Sequence, residues 1–156
     1  MKQFFDKNNI KIRSITNLIG IFLLFAAGLF YVLFIDLNVK FKTETAAEGI
    51  TPISIWLFFA MIFAVGAGIF QFFGDSQKHR KYLTLSLKAV GILLAIGYIF
   101  FAIKFNSWVD TSGKVIAETI AKAHLMTNIS LGLNIAGLVA IVVNYVFSAI
   151  YVEEDY

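Results

Sequence analysis

The chain has 156 residues, of which 59% are hydrophobic and 15% are charged, and its net charge is +3. This composition is far from that of a soluble globular domain, which needs polar residues on every outward face. The absence of cysteine excludes disulfides, thiolate nucleophiles and cysteine-ligated metal or iron–sulfur sites.

Four long apolar segments each reach the length needed to cross a membrane. About 20 apolar residues in a helix span roughly 30 Å of hydrocarbon, because every backbone polar group must be paired within the segment. The predicted spans are residues 15–35, 53–73, 83–103 and 125–152. We therefore predict an all-α membrane protein, a single domain over residues 1–156, with four transmembrane helices in an up-down bundle.

Turn and cap residues separate these spans. Pro52 suits the first position of the second helix, where a missing N–H costs nothing, and Gly74 suits the position just after its end. We expect a short helix over residues 115–124 that runs into the fourth span. The predicted connections are outer loops 36–52 and 104–124 and an inner hairpin 74–82.

The orientation follows from the positive charges near the span ends. Eight Lys and Arg residues lie at the N-terminus, in the hairpin and just inside the third span, against five on the other side. Those five are balanced by five acidic residues. The pattern predicts that both termini are cytoplasmic. The excess of Lys over Arg, eleven to two, favours a prokaryotic protein and hence the plasma (inner) membrane.

Lys88 is the ionisable residue that lies within a predicted span. Because it is near the cytoplasmic end of the third span, its stem is expected to snorkel to the interface. The alternative is that Lys88 pairs with a carboxylate of this chain or of a partner. The predicted spans contain no Asp, Glu or His at their centres, which argues against proton- or cation-coupled transport.

The two histidines do not suit a shared ligand site. His79 and His124 fall on opposite sides of the membrane in the four-span arrangement, so they do not hold one haem or metal together. The sequence contains no paired carboxylates and no nucleophile–base pair at either interface, which disfavours an enzyme. We expect no catalytic residue, no metal site, no cofactor and no nucleic-acid partner.

A polar stripe runs along the fourth span. It consists of Ser130, Asn134, Asn144 and Ser148, with Gly137 between them, at intervals of three, four or seven residues on one helical face. An unpaired amide is costly in lipid, so this face should look toward protein. The stripe either joins this helix to a neighbour, which is the plainer interpretation, or lines a narrow polar path.

Small residues recur every fourth position on three spans and form faces that allow helix backbones to approach closely. Such faces serve contacts within the chain and contacts with partners alike. They are Ala60, Ala64 and Gly68 on the second span, Gly91 and Ala95 on the third, and Gly132, Ala136 and Ala140 on the fourth.

Positive charge also marks the inner hairpin. Lys78, Arg80 and Lys81, with Lys88 nearby, either set the topology alone or contact anionic lipid headgroups as well.

Two functions fit these observations. The first is a non-catalytic accessory or structural subunit of a larger membrane complex, which assembles with other integral membrane subunits and with lipids through the small-residue faces. The second is a small oligomeric channel or transporter that uses the Asn/Ser stripe. The sequence contains no recognisable catalytic or metal-binding residues and has many small-residue faces, and both observations favour the first function.

Overall fold

The computed structural model describes residues 2–38, 55–76, 80–111 and 115–151. A 3-10 turn, Ala117–Thr119, leads directly into the last helix. The long helices in these ranges are α1 Lys2–Asn38, α2 Ile55–Ser76, α3 Lys81–Thr111 and α4 Ile120–Tyr151. All four are long and apolar enough to cross a membrane. An all-α fold with four membrane-compatible helices is therefore confirmed.

Two helices extend beyond the apolar runs that predicted them. Helix α1 begins at residue 2 instead of 15, and its 37 residues measure about 55 Å at 1.5 Å per residue. Helix α3 continues to residue 111 instead of 103. Neither extension contains Gly or Pro, so helical hydrogen bonding continues after the apolar run ends. The second outer loop is consequently shorter than expected.

The sequence also predicted where the helices begin and end and how they are connected, and the structure agrees with some of these predictions and not with others. The short helix expected over residues 115–124 is the 3-10 turn together with the start of α4. Helix α2 continues through Gly74 to Ser76, so Gly74 does not follow the end of that helix as its sequence context suggested. Pro52, most of the first outer loop and residues 77–79 of the inner hairpin lie outside the described residues.

Each helix packs against two others. Helix α1 contacts α2 and α4, and α3 contacts the same two helices from the other side. Buried positions on α3 alternate at intervals of four and three, a 3.5-residue period that is typical of helices packed nearly side by side. They are Thr84, Lys88, Gly91, Ala95, Tyr98, Ala102, Phe105 and Val109.

The bundle has small and polar residues inside and large apolar residues outside. Seven alanines of the described residues have no exposed surface: Ala27, Ala60, Ala64, Ala67, Ala95, Ala102 and Ala123. By contrast Leu18, Leu93 and Val139 are 71%, 66% and 59% exposed. In water such an apolar surface would be a liability. In a bilayer it faces acyl chains, and small interior residues let the helices approach closely.

The substitution Gly91→Ala should destabilise the bundle. A Cβ at Gly91 would lie 3.1 Å from the backbone carbonyl oxygen of Ala67, which cannot move without shifting α2, so a cost of about 1–3 kcal/mol is expected. Gly132 is the matched control, because a Cβ there meets no atom within 4 Å. Unfolding by SDS in mixed micelles, followed by circular dichroism, measures both. Equal stability of the Gly91→Ala and Gly132→Ala variants would contradict this packing.

Candidate functional site

A group of polar side chains crosses the interior of the bundle near the N-terminal half of α1. We call it the lysine network, and it contains one residue or more from every helix. Its members are Asn17 from α1, Gln71 from α2, Lys88 from α3, and Asn144 and Ser148 from α4. All five are buried. Because buried polar groups need partners, their positions along the four helices depend on one another.

Asn144 lies at the centre of this network. Its Oδ1 accepts hydrogen bonds from Gln71 Nε2, at 2.9 Å, and from Lys88 Nζ. Its Nδ2 donates to the backbone oxygen of Arg13 at 2.8 Å and to Thr16 Oγ1 at 3.3 Å. A side-chain amide offers two donors and two acceptor lone pairs. All four are used, and the partners lie on α1, α2 and α3.

The Lys88 side chain lies inside the bundle. This position differs from the sequence prediction, in which the lysine stem snorkels to the interface. Lys88 is 1% exposed, and its Nζ donates hydrogen bonds to Asn144 Oδ1 and, at 3.1 Å, to Ser148 Oγ. Asp75 Oδ1 lies 3.9 Å from Nζ, and the Asp75 side chain is 51% exposed. The pairing with a carboxylate of this chain, which the sequence left as the alternative, is therefore present at the end of the bundle.

Gly74 makes room for this lysine. A Cβ at Gly74 would lie 2.7 Å from Lys88 Cγ and 3.3 Å from the backbone oxygen of Thr84. Glycine is thus placed here by the close approach of α2 and α3 around the lysine stem. This contact accounts for a glycine that the sequence alone suggested as a helix end.

The other members of the polar stripe on α4 also point into the bundle. Asn134 Nδ2 donates to the backbone oxygen of Ala95 at 3.1 Å. Ser130 Oγ donates to the backbone oxygen of Ala27 at 2.7 Å and also contacts the hydroxyl of Tyr98. Since a serine has one hydroxyl proton, Tyr98 is the donor in that contact. The whole stripe joins α4 to its neighbours within one chain.

Some buried polar atoms of the interior have no hydrogen-bond partner among the described residues. They are the side-chain oxygens of Gln71 and Asn134 and the Nε of Arg13. The amide orientations follow from their partners, because Gln71 Nε2 faces two acceptor oxygens and Asn134 Nδ2 faces a carbonyl. Both unpaired oxygens therefore retain acceptor capacity inside the bundle.

The small-residue faces divide into two groups. Ala60, Ala64, Gly68, Gly91 and Ala95 are buried between the helices of one chain. On α4, by contrast, Gly132 and Ala136 are exposed and Ala140 is half-buried. Gly132 and Ala136 define the outer face of α4, which is directed away from the polar stripe, whereas Ala140 faces α1, since a Cβ at Gly20 would lie 3.6 Å from Ala140 Cβ.

The described basic residues of the hairpin differ from Lys88 in exposure. Arg80 is exposed and Lys81 is half-buried, whereas Lys88 is directed inward and bonded to α4. Lys78 lies outside the described residues, as does His79.

A second polar cluster lies at the opposite end of the bundle. His124 Nδ1 is 2.8 Å from Asn106 Oδ1, and His124 Nε2 is 2.7 Å from Asp110 Oδ1. Each ring nitrogen thus lies within hydrogen-bond distance of an oxygen atom of α3. Asn106 also donates to Asn128 at 3.4 Å. These contacts tie the end of α3 to the start of α4, which the sequence did not predict.

Comparisons of the chain with protein families, with curated proteins and with solved structures found no match. Within residues 2–38, 55–76, 80–111 and 115–151, no three His, Asp or Glu side chains are grouped as metal ligands.

The substitution Asn144→Ala should lower the free energy of unfolding by about 2 kcal/mol. It removes four hydrogen bonds, each worth roughly 0.6 kcal/mol between helices in a membrane, and leaves Ser148 as the acceptor for Lys88 and Asn17 as the acceptor for Gln71. Asn128→Ala is the matched control, because Asn128 is exposed and accepts one long bond. SDS titration in mixed micelles measures both. A similar loss for the two variants would show that the network does not stabilise the fold.

Proposed function

We propose that the chain is a multi-pass protein of a prokaryotic plasma (inner) membrane, folded as an up-down bundle with both termini in the cytoplasm. Contacts between residues distant in sequence support this arrangement. Asn17, in the N-terminal half of α1, lies beside Gln71, near the end of α2, and Lys88, near the start of α3, lies beside Ser148, near the end of α4. The basic start of α1 is at this same end, which the positive-inside rule assigns to the cytoplasm.

This orientation predicts the labelling of single cysteines in a chain that has none of its own. Lys7 and Lys122 are both exposed and lie at opposite ends of the bundle. A membrane-impermeant maleimide should label Lys122→Cys in intact spheroplasts and Lys7→Cys only after permeabilisation. Labelling of Lys7→Cys in intact spheroplasts would reverse the orientation.

We further propose that the protein is a non-catalytic accessory or structural subunit of a larger membrane complex. The observation that carries this proposal is the outer face of α4. The other small faces are used within the chain, whereas a Cβ added at Gly132 would meet no atom within 4 Å. In lipid, helices associate mainly through close packing at small residues. A transmembrane helix of another subunit, with a small-residue face of its own, fits this surface.

A second candidate function is a small oligomeric channel or transporter. The observation that favours it is the lysine network, since ionisable and amide side chains inside a membrane bundle often mark the path of a solute. The buried oxygens of Gln71 and Asn134, which have no partner among the described residues, would then meet the solute or its hydration water. The hydrogen bonds of the same residues also hold the helices together, so the subunit function remains our first proposal.

The subunit proposal predicts that Ala136→Leu reduces recovery of partner subunits about tenfold, which corresponds to about 1.4 kcal/mol of association free energy. Because Ala136 is exposed, the larger side chain should block the close approach of a partner while the bundle stays folded. Gentle purification from native membranes, with quantification of co-purified chains, measures the effect.

Two further variants make this test specific. Val142→Leu enlarges an outer residue of α4 that is already large and should leave partner recovery unchanged. Ala64→Leu enlarges a fully buried residue and should impair folding itself. Wild-type recovery of partners with Ala136→Leu would contradict the subunit proposal. A wild-type protein that purifies as a lone homo-oligomer would favour the channel or transporter.

A further inference from the structure

A cavity of about 250 Å³ opens at the end of the bundle where the lysine network lies. All four helices contribute to its lining. The polar lining residues are Arg13, Ser14, Asp75, Thr84, Lys88 and Ser148. At about 30 Å³ per molecule, this volume corresponds to roughly eight waters. It lies below the range of about 300–1,000 Å³ for drug-sized ligands, so the cavity suits a small group.

The charges of the lining favour an anion. Arg13 and Lys88 are cationic and Asp75 is anionic, which leaves one positive charge in excess. Asn144 and Ser148 fix the Lys88 ammonium through hydrogen bonds, so this charge is held in place and cannot extend away into solvent. The Arg13 guanidinium donates through Nη2 to Asn9 at 3.0 Å, whereas its buried Nε has no partner among the described residues.

We propose that this cavity binds a phosphoryl group, held mainly by Arg13 and Lys88. Its donors come from α1, α3 and α4 and therefore surround the cavity from several directions. A tetrahedral phosphate presents oxygens in several directions, whereas a planar carboxylate presents two in one plane. Arg and Lys are the side chains that proteins most often use for phosphate. The hydroxyls of Ser14, Thr84 and Ser148 add neutral hydrogen-bonding groups around it.

At a membrane surface a phosphoryl group can come from two sources, namely free phosphate and the headgroup of an anionic phospholipid. The site goes beyond the proposed subunit function and does not depend on it, because none of its residues lies on the outer face of α4. Binding is also measured separately from partner recovery, so the failure of either proposal leaves the other in place.

The test measures the binding of two probes to the purified full-length protein in micelles. The first probe is inorganic phosphate against chloride at constant ionic strength, followed by calorimetry. The second is phosphatidylglycerol against uncharged diacylglycerol, followed by native mass spectrometry. Binding of phosphate identifies the free anion as a ligand, and binding of phosphatidylglycerol alone identifies the lipid headgroup. No binding of either probe would overturn the proposal.

Arg13→Gln is the main variant. It removes the guanidinium but keeps the backbone oxygen that accepts from Asn144, so the bundle should still fold. The dissociation constant for the bound probe should rise about tenfold or more. Arg80→Gln is the matched control, because Arg80 is exposed and does not line the cavity, and it should bind as the wild type does. Equal affinities of Arg13→Gln and Arg80→Gln would overturn the proposal.

Asp75→Asn provides a test in the opposite direction. It removes the negative charge of the lining and so raises the excess positive charge from one to two. The dissociation constant for the bound probe should fall several-fold, and more at low than at high ionic strength. Weaker binding by Asp75→Asn would contradict an anion in this cavity.

Discussion

The side-chain amide of Asn144 is the constraint on which the rest of the bundle depends. An amide inside an apolar bundle is costly unless each of its donors and acceptors is paired. Asn144 meets this requirement with Gln71, Lys88, Thr16 and the backbone of Arg13. Because these partners come from the three other helices, a shift of any helix along its axis breaks at least one bond. The network thus fixes the relative heights of all four helices.

Small residues make this network possible. Gly74 gives the Lys88 stem its space, and the interior alanines let the helices approach closely enough for short side chains such as Ser148 to reach a neighbour. Close packing and hydrogen bonding are therefore coupled, as expected where lipid removes the hydrophobic drive between helices. The same coupling leaves α4 with two different faces, a polar one toward its own chain and a small one toward the surroundings.

The four helices and the polar stripe could be predicted from the sequence, because apolar run length and helical periodicity are local properties. The inward position of Lys88 also had a local signal, since it shares a 3.5-residue pattern with Gly91 and Ala95. Its partners Asn144 and Ser148 lie more than 50 residues away, and only tertiary packing brings them together. Likewise, the 3.6-residue period places Gly132 and Ala136 opposite the stripe, but their exposure depends on where the other helices pack.

A double-mutant cycle between Gln71 and Asn144 tests most directly whether this network holds the helices together. The free energies of unfolding of Gln71→Leu, Asn144→Leu and the double variant are compared with that of the wild type. The two side chains share a hydrogen bond of 2.9 Å, so the double variant should lose less stability than the two single losses combined, by about 0.5–3 kcal/mol. Additivity of the single losses within about 0.3 kcal/mol would contradict the account.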